Sequence, residues 1–235
     1  MNINPLVSTI ISVYNSEHYL AEAIESVFAQ SYRPIELIVV DDGSKDRSAD
    51  VARSYKGIHY IYQSNQGAAV ARNKGIAHAQ GEFIAFLDAD DMWAPHKLNI
   101  QVEYLFNHPA VGYTIGRIQN FNSLGSNSRS QVRQSSLDKE QIGLITMLAR
   151  KTVFDQVGGF DPSYRIGSDF EWVVRSKDAG IFMVILPEIL LYRRIHDSNL
   201  SHQTQARCTS LLRMFKESID RKDQISDTVM KRKIF

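Results

Sequence analysis

Residues Glu82 to Met92 read EFIAFLDADDM, and this stretch decides how the rest of the chain is read. An apolar run stops at three carboxylates, Asp88, Asp90 and Asp91, as a buried strand does where it reaches the sheet edge and meets a ligand. Asp88 and Asp90 stand two residues apart, so in extended chain they share a face and are placed to hold one divalent cation. An acidic turn with no ligand has the same local pattern, because Asp is common in turns. The neighbouring segments separate the two readings.

Upstream, Leu6 to Val13 is rich in β-branched residues and breaks at Tyr14-Asn15-Ser16, which predicts a strand followed by a helix N-cap. From Glu17 to Gln30 the apolar positions Leu20, Ala23, Ile24, Val27 and Phe28 recur at helical spacing. Ile35 to Val40 predicts a second buried strand, stopping at Asp41-Asp42-Gly43-Ser44 ahead of a helix from about Asp46 to Tyr55. His59 to Tyr62 predicts a third strand, leading through Asn65-Gln66-Gly67 into a small-residue helix, Ala68 to Ala79. Strands alternating with helices at this spacing imply a parallel, right-handed β-α-β sheet with helices on both faces. Ligands bind at the carboxyl ends of such strands, where this chain collects Asn and Asp, so one shared site is expected.

Downstream, Pro95 to His108 predicts a helix and Val111 to Gln119 a strand. Phe121 to Ser136 is rich in Ser, Asn, Gly and Gln and reads as a mobile surface loop. Gly143 to Val157 reads as a strand-to-helix passage, and Gly158-Gly159-Phe160-Asp161-Pro162 as a turn. Ser168 to Ala179 is expected as a helix with Ser168 at its N-cap and Glu171 completing a capping box. Met183 to Arg193 reads as a final strand interrupted at Pro187. The tail from Gln205 is helical and amphipathic, ending basic at Met230-Lys231-Arg232-Lys233.

Composition narrows the function classes. At 235 residues and 43% hydrophobic, the chain suffices for one α/β domain with a full core. A net charge of +1 gives no bulk attraction to nucleic acid. The single cysteine, Cys208, excludes an internal disulfide framework and fits a reducing compartment. The N-terminal MNINPLVSTIISV lacks a basic leader and a cleavage site, and no stretch approaches the ~20 apolar residues of a bilayer span. A soluble chain, with at most peripheral membrane contact, is expected.

The order VSTIISVYN, SVFAQSY, ELIVVDDGSKD, NQGAAVARNKGIAHAQGEFIAFLDADD and GSDFEWVVR resembles the family 2 glycosyltransferases, over roughly residues 6 to 202. The resemblance implies the GT-A fold: a Rossmann-like α/β/α sandwich with a mainly parallel central sheet. Its glycosyltransferase domain would occupy 1–204, with a donor half about 1–93 and an acceptor half about 94–204, leaving 205–235 as a C-terminal helical tail. The implied activity is inverting transfer of a sugar from a nucleotide-diphospho-sugar, a UDP-sugar in first place, assisted by Mg²⁺ or Mn²⁺.

By the same resemblance Asp90 is a metal ligand, Asp88 lies near the ribose or metal, and Asp91 is a neighbouring candidate. Ser12 and the pair Asp41-Asp42 lie beside the nucleobase, with Asp42 accepting the uracil imide N–H and Asp41 alternatively holding its turn. Arg72 is placed for a phosphate and His196 for the metal or diphosphate. Asp169 is the candidate base for the acceptor hydroxyl, favoured in ionised form by a helix N-terminus. The residue before it is Ser168, where the family usually has Glu. Trp93 and Trp172 read either as sugar-stacking or as core residues.

The partners implied are a nucleotide-sugar donor and a glycan or lipid-linked acceptor, with a homodimer left open and nucleic acid excluded. The implied location is cytoplasmic, extending to the inner membrane face. Two other readings compete. A nucleotide-sugar-binding scaffold without turnover takes its support from Ser168. A haloacid-dehalogenase-type phosphatase shares the Asp-x-Asp strand end, but here the motif is on the fourth strand and Met92 stands where Thr or Val is expected.

Overall fold

The computed structural model describes residues 4–122, 141–196 and 210–221. Its first half is the predicted alternation: β1 (Val7–Val13), α1 (Leu20–Phe28), β2 (Ile35–Asp41), α2 (Ser48–Ser54), β3 (Ile58–Tyr62), α3 (Ala68–His78) and β4 (Phe83–Asp88). Then follow β5 (Met92–Trp93), α4 (Lys97–Asn107), β6 (Val111–Asn122), β7 (Gln141–Arg150), α5 (Lys151–Val157), α6 (Ser168–Asp178) and β8 (Phe182–Ile195). Among the described residues the strands form one sheet of eight in the order β3-β2-β1-β4-β7-β6-β8-β5. β1 pairs in parallel with β2 and β4, β2 with β3, and β6 with β8. β7 runs against both β4 and β6, and the short β5 against β8. The sheet is therefore mainly parallel.

Period-2 alternation along the strands divides the core between two faces. Val7, Ile11, Leu37, Val39, Ala85 and Leu87 pack with Ile24, Val27, Leu98 and Leu105 from α1 and α4. Ile10, Ile38, Val40, Ile84 and Phe86 pack on the other side with Ala71, Phe154, Phe160 and Trp172. The small residues of α3 let it lie close on β1: a Cβ added to Gly75 would meet the Ile10 side chain at 2.4 Å. Both tryptophans are core residues, Trp93 in the first cluster and Trp172 in the second.

Several expectations need correction. Gly167, not Ser168, is the N-cap of α6, in left-handed conformation at φ 83° and without a side-chain cap bond. Glu171 does not reach back to close a capping box, because Arg175 one turn on takes both its carboxylate oxygens at 2.8 Å, a charged two-point contact. Phe121 is not loop but part of β6, buried opposite Arg194. β8 is not interrupted at Pro187; the strand continues, and the register against β6 shifts where Ile115 faces Ile185 and Arg117 faces Ile189. A proline that cannot donate to a ladder is accommodated at such an irregularity. The expectations for residues 123–136, for Asp197 to Ser201 and for the basic end 230–233 lie outside the described residues.

The two halves of the chain are joined at α3. The Asn73 amide donates to the Phe160 carbonyl at 2.7 Å and accepts from the Phe160 N–H at 2.8 Å, pinning the glycine turn that precedes α6. From the other side Arg175 donates to the Val157 and Gly159 carbonyls, and the Trp172 indole N–H to Gly158. The helix over 210–221 is docked against α6 and the turn before it: Met214 is buried, Glu217 accepts from the Tyr164 hydroxyl, and Arg221 pairs with Asp178 of α6.

Lys97, at the start of α4, is fully buried, its Nζ 2.6 Å from Gln101 Oε1 and 4.3 Å from the Trp93 ring centroid. Burial without a carboxylate pushes its pKa well below the usual 10.5. The unfolded chain therefore binds a proton the folded chain lacks, and stability rises with pH from the lowered folded pKa up to about 10.5, by about 1.4 kcal/mol per pH unit. Urea unfolding of Lys97→Met against the native chain at pH 8 and 9.5 should show that slope removed in the variant. Asn73→Ala orphans the Phe160 N–H and carbonyl, and urea unfolding should show a loss of about 1–3 kcal/mol.

Candidate functional site

Parallel register aligns the carboxyl ends of three strands. Ser12 of β1 stands opposite Val40 on one side and Asp88 on the other, and Val13 stands opposite Asp41. Ser12, Asp41, Asp42 and Asp88 therefore share one sheet edge, as expected of a ligand-binding edge.

The acidic pair after β2 divides its work. Asp41 is fully buried and accepts from the Ser44 N–H at 2.8 Å and the Tyr60 hydroxyl at 2.7 Å, so it does hold its own turn. Burial and that hydrogen bond raise the Tyr60 pKa far above its usual value, keeping the phenol a donor. Asp42 builds the adjoining loop: its carboxylate accepts from Gln63 Nε2 and from the backbone N–H groups of Gln66 and Gly67, each at 2.8 Å. Of about four acceptor positions on a carboxylate, about one is left for a ligand. Gly67, at φ 93°, ends this loop as the N-cap of α3 and delivers Arg72 one turn later.

Arg72 links the end of β4 electrostatically with the head of α6. Its Nη2 donates to Asp88 Oδ1 at 2.7 Å. Burial alone would lower its pKa, but the charges of Asp88 and Asp169 hold it above the usual arginine value. The carboxylate at the head of α6 is thus in the electrostatic field of the same guanidinium that pairs with the end of β4.

Asp90 faces His196, whose Nε2 lies 2.9 Å from Asp90 Oδ2. Burial, and then the charge of Asp88, push the Asp90 pKa up, while the contact with His196 draws it down. Tyr19, ahead of α1, stacks on the His196 ring at 5.1 Å and 23°. Asp91 is of a different kind. It is only 4% exposed, accepts the Arg194 backbone N–H at 2.9 Å, and is pushed up to about 8 by burial and by the charges of Asp88 and Asp90. Its role is to anchor the loop.

A divalent cation fits this corner in a limited way. Among the described residues no three His, Cys, Asp or Glu side chains form a closed cage. Asp90 and His196 nevertheless bring one oxygen and one nitrogen donor together, and the like charges of Asp88 and Asp90 already crowd each other. Mg²⁺-type sites take one or two protein ligands and complete their shell with substrate phosphates and water. Asp88 is neutralised by Arg72, so Asp90 and His196 are the better pair.

Two residues outside the expected site set also shape this region, Asn73 of α3 and Arg194 of β8. Asn73 is the latch described above. Arg194 is a buried charge in an apolar strand, two residues ahead of His196, and that placement was the available signal. Among the described residues no helix is long and apolar enough to cross a membrane.

Comparison with known proteins identifies the family and the fold. The family model described as Glycosyl transferase family 2 matches residues 8–169. An uncharacterized glycosyltransferase of Nostoc sp. is 36% identical over 223 residues, covering 87% of this chain and 69% of that protein. The mannosyltransferase PcManGT from Pyrobaculum calidifontis, solved with GDP-Man and Mn²⁺, superposes with a TM-score of 0.73 at 18% identity, over 93% of this chain and 65% of that one. S. aureus TarS 1–349 in complex with UDP superposes with a TM-score of 0.68 at 21% identity, over 89% and 72%. These two likenesses support the GT-A fold. The match over residues 8–169, together with the Nostoc relative, places the chain in glycosyltransferase family 2.

Proposed function

We propose that this chain transfers a sugar from a nucleotide-diphospho-sugar, a UDP-sugar, to an acceptor hydroxyl with inversion at the anomeric carbon, in the assembly of a surface polysaccharide or glycoconjugate. The observation that carries this reading is Arg72, paired with Asp88 at the donor edge and held in the field of Asp169 on the acceptor side. A carboxylate at the strand edge paired with an arginine that also feels the charge of a candidate base is consistent with a single displacement between two substrates.

In this reading the nucleobase rests against the edge formed by Ser12, Asp41 and Asp42, and the remaining acceptor position of Asp42 takes the imide N–H. Arg72 is placed to offset negative charge as the diphosphate leaves. Asp90 and His196 would hold Mg²⁺ or Mn²⁺, with Asp88 beside them. When bound, the cation supplies Lewis-acid neutralisation of the leaving diphosphate. Asp169 takes the proton of the acceptor hydroxyl as its oxygen attacks the anomeric carbon. The acceptor is a glycan or a lipid-linked saccharide, met at the cytoplasmic face of a membrane. A scaffold that binds nucleotide sugars without turnover rests on Ser168 alone.

The test is a panel of UDP-, GDP- and dTDP-sugars with Mg²⁺ or Mn²⁺, followed by NMR of the product anomer. Inverted configuration and metal-dependent release of UDP are expected; a retained configuration refutes the single displacement, and binding without hydrolysis or transfer favours the scaffold. Asp90→Ala should abolish turnover and metal-dependent UDP binding in calorimetry. Asp169→Asn should leave donor affinity within about two-fold while transfer falls by about 10²-fold or more.

A further inference from the structure

We propose that Arg194 is a positioning residue for the cation corner, gripping Asp90 through its backbone so that the Asp90 carboxylate is presented together with His196. The inference rests on the reading of Asp90 and His196 as the protein's donors to a divalent cation.

Arg194 is only 3% exposed, and a guanidinium removed from water is costly unless its donors are satisfied. Its partners converge from separate parts of the chain. Nε donates to the Asp90 carbonyl at 3.0 Å and Nη2 to Glu22 Oε2 of α1 at 2.7 Å. The rings of Tyr19 and Phe121 lie against it, with centroids at 4.8 and 4.6 Å. Its backbone N–H donates to Asp91 Oδ1 at 2.9 Å. One residue thus holds two successive positions of the acidic loop, Asp90 by its main chain and Asp91 by its side chain.

The strand geometry links this grip to His196. His196 follows directly on the end of β8 at Ile195, two residues past Arg194, and both side chains reach Asp90. Arg194 takes the carbonyl of Asp90 while His196 meets its carboxylate at 2.9 Å, and Tyr19 packs against both side chains. The register is fixed on both sides of β8: Phe121 of β6 stands opposite Arg194, and Met92 of β5, just past the acidic loop, stands opposite Tyr192. With the carbonyl of Asp90 fixed, what remains free is its side chain, and His196 holds that.

The chemistry selects arginine. The ion pair to Glu22 is half in water, with the Glu22 side chain 52% exposed, so screening leaves it a modest contribution. The contact that matters for the corner is Nε to the Asp90 carbonyl. A planar fork serves Asp90 and Glu22 at once and packs flat on aromatic rings; a lysine ammonium is a single point charge and cannot do both. Groups that orient ligands from behind typically alter metal affinity by about 10–100-fold when changed.

The test is Mn²⁺ binding in the presence of UDP, read by loss of the free-Mn²⁺ EPR signal, for the native chain, Arg194→Lys and Asp90→Ala. Metal-free UDP affinity is read in parallel by calorimetry. The native chain is expected to bind Mn²⁺ and Asp90→Ala to lose it. Arg194→Lys should weaken Mn²⁺ by about ten-fold or more while metal-free UDP affinity stays within about two-fold, a split that general loosening of the fold would not give. Native-like Mn²⁺ affinity in Arg194→Lys, or an equal loss of UDP and Mn²⁺, overturns the inference while leaving the metal reading intact. A native chain that takes up no Mn²⁺ with UDP overturns both. Should Arg194→Lys fail to fold, Arg194→Met replaces it: this variant fills the space without a buried charge and removes the donor to the Asp90 carbonyl, and unchanged Mn²⁺ affinity there overturns the inference.

Discussion

The parallel register of β1 with β2 and β4 is the constraint on which the rest of this molecule depends. Ser12 is level with Asp88 and Val13 with Asp41 because the buried sets of the three strands interlock with helices on both faces. A slip of one residue would turn each core side chain to the opposite face, so the apolar alternation fixes the register strongly. Once it is fixed, the polar residues at the strand ends have nowhere to go but one edge. The site is thus a consequence of core packing.

Around that edge the charges are arranged so that no carboxylate has the same task as its neighbour. Asp41 holds its own turn and Asp42 the loop leading to α3. Asp88 is taken by Arg72, Asp90 by His196, and Asp91 is buried against the β8 backbone. Three carboxyl groups within four residues would repel one another strongly if all were ionised in the same low-dielectric corner, and the upward displacement of Asp90 and Asp91 reflects this. Arg72 and Arg194 bring compensating charge from α3 and β8, elements far apart in the chain.

The first half of the chain is legible in sequence because its signals are local. Strand residues alternate, helices repeat at 3.6, and Asp or Asn marks where a strand ends, so β1 to β4 fall close to their predicted places. The second half is less legible. A capping-box pattern at the start of α6 cannot reveal that Arg175, one turn on, has the stronger claim on Glu171. Phe121 was read as loop because the polar segment after it dominates the window, whereas pairing with β8 extends β6 through it.

By itself the sequence determined the parallel α/β architecture, the edge where the strand-end Asp and Asn residues gather, and the candidates Ser12, Asp41, Asp42, Arg72, Asp88, Asp90, Asp169 and His196. Periodicity and strand-end chemistry, properties of short windows, suffice for the architecture and the edge, while the roles of these candidates are what the resemblance to the family 2 glycosyltransferases implies. Only the tertiary structure decided which carboxylate does what. It sent Asp91 inward, paired Asp88 with Arg72 and Asp90 with His196, and gave Asn73 and Arg194 their roles. Those contacts span from 16 to 106 residues of chain, and no local pattern encodes which distant partner a charge or an amide will meet once the sheet has closed.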